Sequence, residues 1–308
     1  MVSVVIATYN RCNFLEDCIN SFNEQDSDKS LFEVLIIDNN STDDTETISN
    51  ELIYKYPDLN ISYMIETNQG LSYGRNRGIK ESKYDLIHFF DDDAIATHNY
   101  IFTILDTFKR YPNAKATGGK ILLNYFEGRP KWASVYMESI FGLFDIGDAE
   151  VEFPRNNYPR GSNMTFKREI FNKLGVFDVT LGRKGKIMLG GEEKEMFQRV
   201  YESGASVIYN PLTICYHSVP EPRTRLSFIK NQVFGIGVSE NIRINNSALK
   251  YKINRYFMEG VKWMGTLVLF SKYLLFEVNW SKALLIVKFR WWITKGILIG
   301  PNSSENCP

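Results

Sequence analysis

Three consecutive carboxylates, Asp91, Asp92 and Asp93, follow directly on the apolar run Leu86-Ile87-His88-Phe89-Phe90. Adjacent like charges repel unless a cation or solvent intervenes, and hard oxygen donors in a row suit Mg²⁺ or Mn²⁺ carrying a ligand's phosphates. A solvated acidic turn has the same composition, so context decides between the two. Asp38 ends a second apolar run, Val34 to Ile37, where it could cap the next helix or accept hydrogen bonds from a nucleobase or ribose. Ala7-Thr8-Tyr9-Asn10-Arg11 follows a third such run, and Tyr9 could pack there or stack on a base. Asn68-Gln69-Gly70 and Arg75-Asn76-Arg77-Gly78 set two arginines around a turn entering a helix, which favours phosphate.

Glu192 and Glu193 follow Gly190-Gly191 at the start of a helical pattern. Acids in a first helical turn answer the helix dipole, but the glycine pair also allows a substrate to come close, and a carboxylate there could take a proton from an attacking hydroxyl. His217 follows an apolar strand beyond Pro211; it is either a satisfied structural residue or the imidazole that completes an Asp/His metal sphere.

The elements that must position these groups alternate. The patterns predict strands over Val2 to Ala7, Val34 to Ile37, Ile61 to Ile65 and Leu86 to Phe90. Helices are predicted over about residues 13–23, after the capping run at 39–44, over Leu71 to Ser82, and through Tyr100 to Phe108. Such alternation implies a parallel sheet covered on both faces, with the acids emerging at the strands' carboxyl ends, where open α/β sheets bind ligands. Beyond about residue 115 the alternation loosens. Residues 125–160 read as long loops over the sheet, followed by a short strand at Asn163 to Phe166, helices over Lys167 to Leu174 and from Glu192 towards Gly204, and a strand at Ser206 to Tyr209 before Pro211.

The 308-residue chain has zero formal net charge, unevenly spread. Residues 250–300 hold nine basic residues against two acids, near +7, which leaves the remainder near −7. Lys262, Lys272, Glu277, Lys282, Lys288 and Arg290 interrupt every apolar stretch there that could approach the ~20 residues of a membrane span. Basic residues among Trp263, Trp280, Trp291 and Trp292 fit helices lying on an anionic membrane surface, or packing on the rest of the chain or on a second copy in a homo-oligomer. A nucleic-acid partner is not expected, because the basic residues lie among bulky apolar ones rather than on a polar stripe. Cys12, Cys18, Cys215 and Cys307 form no metal-ligand spacing, and the N-terminus reads as a strand rather than a signal peptide. The expected location is cytoplasmic, with the tail able to hold the chain peripherally on the inner face of the cell membrane.

Taken in order, the segments Val4 to Arg11, Ile36 to Asp43, Asn68-Gln69-Gly70 with Arg75-Asn76-Arg77-Gly78, Phe89 to Asp93, Gly161-Ser162-Asn163-Met164 with Leu174 to Asp178, and Gly190-Gly191-Glu192-Glu193 resemble family-two inverting glycosyltransferases. The resemblance covers about residues 1–220 and implies an α/β GT-A fold there, a Rossmann-like, mostly parallel sheet flanked by helices, with residues 221–308 a C-terminal helical extension. It implies a nucleotide-sugar donor, a UDP-sugar, whose nucleoside is held by Ala7, Tyr9 and Asp38. Thr8, Arg11, Asn68, Gly70, Arg75, Asp91 and Asp92 count among the residues on the donor, with Arg75 near the diphosphate or sugar. Asp91 and Asp93 match the outer acids of the family's Asp-x-Asp metal motif, and His217 a metal-binding histidine found in some members. Where the family usually shows Gly-Glu-Asp this chain has Gly191-Glu192-Glu193, so Glu193 is the matching base and Glu192 the alternative. The expected acceptor is a saccharide or lipid-linked hydroxyl in surface polysaccharide or glycolipid assembly. A sugar nucleotidyltransferase would share the sheet but should show a Gly-rich loop after the first strand. A non-catalytic membrane-associated scaffold would leave the acids without a task.

Overall fold

The computed structural model of the chain describes residues 1–183, 190–245 and 247–300. These fall into two compact units, the first within Met1–Asn124, Gly142–Gly185 and Glu192–Ser218, the second within Tyr125–Phe141, Lys186–Gly191 and Val219–Pro308.

The first unit opens with the predicted alternation: β1 (Val2–Thr8), α1 (Cys12–Asn23), β2 (Phe32–Asp38), α2 (Thr45–Lys55), β3 (Ile61–Ile65), α3 (Leu71–Glu81) and β4 (Leu86–Asp91). β3, β2, β1 and β4 lie side by side and parallel. Every residue of β2 is buried, as a strand covered on both faces requires. α3 is helical despite its glycines because it packs hard on β1: a Cβ at Gly78 would lie 2.1 Å from Val5 Cγ1, and one at Gly74 would lie 3.1 Å from the Ala7 Cβ.

The rest of the sheet differs from a purely parallel expectation. β5 (Ala94–Ala96), α4 (Tyr100–Arg110), β6 (Ala116–Tyr125), β7 (Val151–Glu152), β8 (Met164–Lys167), α5 (Arg168–Leu174), α6 (Glu192–Glu202) and β9 (Val207–Val219) follow. The β4–β8, β8–β6, β5–β9 and β7–β9 pairs are antiparallel, which gives one mixed nine-stranded sheet. β9 continues through Pro211 instead of ending before it. The strand changes partners there, pairing with β7 at Ile208 and Tyr209 and with β5 at Cys215 to His217. Asn210 fastens the corner, accepting from the Leu212 N–H at 2.9 Å and donating to Thr107 Oγ1 at 2.8 Å. Proline is tolerated where the regular ladder is interrupted.

The second unit takes in residues 125–141, read above as loop over the sheet, and a helical set: α7 (Glu221–Thr224), α8 (Leu226–Asn245), α9 (Leu249–Leu275) and α10 (Trp280–Ile299). Met137, Tyr273, Ala283, Leu285 and Ile286 form a small core of its own. Charges join its helices. Arg255 of α9 donates to Glu240 of α8 at 2.7 Å and to Glu259 at 3.1 Å, while Glu259 accepts from Arg290 at 3.4 Å and Thr294 at 3.1 Å on α10. Both glutamates are buried. No helix among the described residues is long and apolar enough to cross a membrane.

Candidate active site

Register builds the site. Thr8 lies opposite Asp38, and Ala7 opposite Asp91, so the parallel strands β2, β1 and β4 bring these residues to one sheet edge at their carboxyl ends. In the antiparallel part Ala94 lies opposite His217, which brings that imidazole beside Asp93; the Ser218 N–H donates to the Asp93 carbonyl at 2.8 Å.

The three aspartates have separate surroundings. Asp91 accepts from Ser162 Oγ at 2.5 Å, and its other oxygen lies 4.0 Å from Arg75 Nη2. Asp92 turns inward, with one oxygen on Thr8 Oγ1 at 2.7 Å and the other on Arg11 Nη1 at 2.7 Å. Burial pushes its carboxyl up to about 6 against the opposing pull of Arg11. Asp93 lies between Arg11, which donates to Oδ2, and His217, whose Nε2 is 3.2 Å from Oδ1. The Arg11 guanidinium thus supplies the positive charge that lets three adjacent acids share a turn.

Asp91, Asp93 and His217 each offer one donor atom, and these atoms lie within 4.8 Å of one another. Opposite ligands of Mg²⁺ are about 4.2 Å apart, so the group approaches the span of a small divalent ion. His217 Nδ1 is buried with no hydrogen-bond partner among the described residues, and a Cβ added at Gly142 would lie 3.5 Å from it. Two carboxylates and an imidazole with an unengaged nitrogen fit Mn²⁺ or Mg²⁺.

Arg75, on α3, gathers the second group. It is buried, with Nη1 3.0 Å from Glu192 Oε1 and Nη2 3.2 Å from Glu193 Oε1. Burial works against its charge, but Glu193, Glu192 and Asp91 outweigh that and hold it protonated. The two glutamates differ in access: the Glu192 side chain is 5% exposed and the Glu193 side chain 21%. Burial pushes the Glu193 carboxyl up to about 7; Arg75 opposes the shift, and Glu192 and Asp91 add to it. A carboxyl at that value, open on one side, is tuned to accept a proton near neutrality.

The remaining sequence-predicted residues hold the loops around this network. Both Asp38 oxygens are engaged, by the Ser41 N–H at 2.8 Å and Tyr63 Oη at 2.7 Å. Tyr9 follows β1 in a loop tied down by Asn10, which accepts from the Thr42 N–H at 2.7 Å. The Gly70 N–H donates to Asn39 Oδ1 at 2.6 Å, and φ at Gly70 is +145°, open to glycine alone. Asn68 is exposed and donates to Glu66, apart from the acid cluster.

Two supports escaped sequence reasoning about roles. Ser162 fixes Asp91, and a Cβ at Gly161 would lie 2.2 Å from Glu193 Oε1 and 2.3 Å from Arg75 Nη2. Their segment signals family membership, yet nothing local in it says which distant side chains it serves.

Residues 3–175 match the family described as Glycosyl transferase family 2. The chain belongs to that family. Membership makes this family-2 chain a glycosyltransferase and displaces the scaffold and nucleotidyltransferase readings. The match stops short of Glu192, Glu193 and His217, whose roles rest on geometry. Among relatives, the glucosyl-dolichyl phosphate glucuronosyltransferase of Haloferax volcanii is 29% identical over 247 residues, 78% of this chain and 76% of that protein. Among solved structures, a mannosyltransferase from Pyrobaculum calidifontis in complex with GDP-Man and Mn²⁺ aligns with TM-score 0.62 at 15% identity, covering 94% of this chain and 85% of that one. S. aureus TarS 1-349 in complex with UDP-GlcNAc aligns with TM-score 0.56 at 19% identity, covering 80% and 67%. At these identities the two structures speak for the fold, which is GT-A: a mixed sheet flanked by helices, with a C-terminal helical region.

Proposed function

We propose that this glycosyltransferase moves a sugar from a nucleotide-sugar, a UDP-sugar, to an acceptor hydroxyl in one displacement that inverts the anomeric centre. The observation that carries the reading is the meeting of Asp91, Asp93 and His217 with the Arg75, Glu192 and Glu193 group at one sheet edge. Glu193 takes the proton of the attacking hydroxyl, since its carboxyl is pushed up to about 7 and retains solvent access. Arg75, already protonated and fixed, faces the charge that develops on the departing diphosphate. Asp91, Asp93 and His217 would hold Mn²⁺ or Mg²⁺, which supplies further positive charge for the diphosphate. Ala7, Tyr9 and Asp38 receive the nucleoside, with Thr8, Arg11, Asn68, Gly70 and Asp92 shaping the donor's surroundings.

The name of the Haloferax relative supports a lipid-linked acceptor, and glycolipid or surface polysaccharide assembly as the setting. Residues 1–220 serve as the catalytic domain, and the helical extension 221–308 serves membrane-surface or oligomer contact. The test is nucleoside diphosphate release by the purified chain from UDP- and GDP-sugars, with and without Mn²⁺. Release from a UDP-sugar that needs the metal, together with loss of Mn²⁺ binding in Asp93→Ala, is the expected result. Release from GDP-sugars alone overturns the uridine assignment, and unchanged metal binding in Asp93→Ala removes that ligand.

A further inference from the structure

We propose that the solvent face of α9 is a landing surface for an anionic lipid bilayer, on which the chain rests without crossing it. The inference uses none of the residues assigned to transfer and stands on the second unit alone. α9 is 27 residues long, about 40 Å at 1.5 Å per residue. Its inward side is apolar at Tyr273 but polar over much of the remaining length. The side that packs against α8 and α10 carries Arg255, Glu259 and Thr266, with both oxygens of Glu259 engaged by Arg255, Arg290 and Thr294. The opposite side exposes Ile253 at 63%, Phe257 at 67%, Met264 at 60% and Val268 at 68%, with Leu249 and Leu275 at the ends. These positions recur at four- and seven-residue intervals, so they form one stripe along the helix.

Water is a poor medium for a stripe of that length, and an exposed apolar patch of this size marks an interaction surface. Charge selects the occupant. Lys250 is exposed beside the stripe, and Lys272 is exposed on its flank, 3.7 Å from Glu277. Residues 250–300 carry nine basic residues against two acids; Arg255 and Arg290 are engaged with Glu259 and Lys272 with Glu277, so the surplus positive charge lies on the remaining lysines. Two such surfaces meeting face to face would bring like charge together, whereas an anionic leaflet attracts each lysine and accepts the apolar side chains just below its headgroups. Since no described helix is long and apolar enough to cross a membrane, the arrangement is that of a helix lying in the interface plane.

Flotation of the full chain with phosphatidylcholine vesicles, with and without phosphatidylglycerol, tests the proposal. The wild type is expected to float with the anionic vesicles at low salt and about tenfold less with neutral ones. The double variant Phe257→Glu, Val268→Glu should lose flotation about tenfold or more while keeping wild-type circular dichroism and wild-type nucleotide-sugar turnover, because both side chains face solvent. Lys250→Glu with Lys272→Glu should remove the preference for anionic lipid. The proposal is overturned if the wild type stays at the bottom of the gradient with anionic vesicles, or if the Phe257, Val268 variant floats as well as the wild type. A wild-type dimer that this variant dissociates, without flotation, would hand the face to a second copy and equally overturn it.

Discussion

Glu192 and Glu193 are chain neighbours with the same side chain, yet one is sealed against Arg75 and the other remains open on one side. Glu193→Gln should therefore lower the transfer rate by about 10²–10⁴-fold, the usual worth of a general base, with donor affinity retained. Activity of the free wild-type enzyme should rise with pH through a midpoint near the Glu193 value of about 7, and the glutamine variant should lack that limb in a kcat/KM profile. Stability runs the other way. A carboxyl raised from 4.5 to about 7 favours the folded state fully below 4.5, and this contribution is lost as pH climbs through 7, so melting of the wild type should show a decline over that window which Glu193→Gln lacks. At this scale the sequence exposed the acids and Arg75, because three carboxylates after an apolar strand are conspicuous. It did not expose the inward turn of Asp92 onto Thr8 and Arg11, nor the hold of Ser162 on Asp91, since partners 71 to 84 residues away leave no local pattern.

Between elements, the closest approach belongs to α3 and β1. A methyl group at Gly78 must displace Val5 or lift the helix, so Gly78→Ala should cost about 1–3 kcal/mol in urea unfolding, as overpacking does. Because Arg75 rides on the same helix, the substitution should also reduce turnover. The parallel strands and their helices were legible from period alone, to within a residue or two at most ends. β5 and β6 were not: three residues make β5, too few for a period, and β6 begins with the small residues Ala116-Thr117-Gly118-Gly119. The pattern predicts a strand end at Pro211 because a proline usually ends a central strand, whereas β9 continues by exchanging β7 for β5 as a partner. His217 depends on that continuation, for a slip of one residue against β5 would turn its ring to the other face of the sheet.

For the molecule as a whole, a donor that binds the folded chain alone must raise its unfolding free energy. UDP with Mn²⁺ at a hundredfold excess over its dissociation constant should contribute about 2.7 kcal/mol in thermal unfolding, and Asp93→Ala should abolish the part that needs metal. The C-terminal helices were legible as basic and apolar residues interleaved, too charged to span a membrane. Which side of α9 faces inward was not, because its inward side mixes Arg255, Glu259 and Thr266 with Tyr273 while its outward side is largely apolar. Glu240, Arg255, Glu259 and Arg290 already pair with one another before any lipid is met. Landing of the proposed kind therefore demands no stripping of these ions and no refolding of the helix, so contact with a leaflet would be brief and repeated, like a skate touching ice.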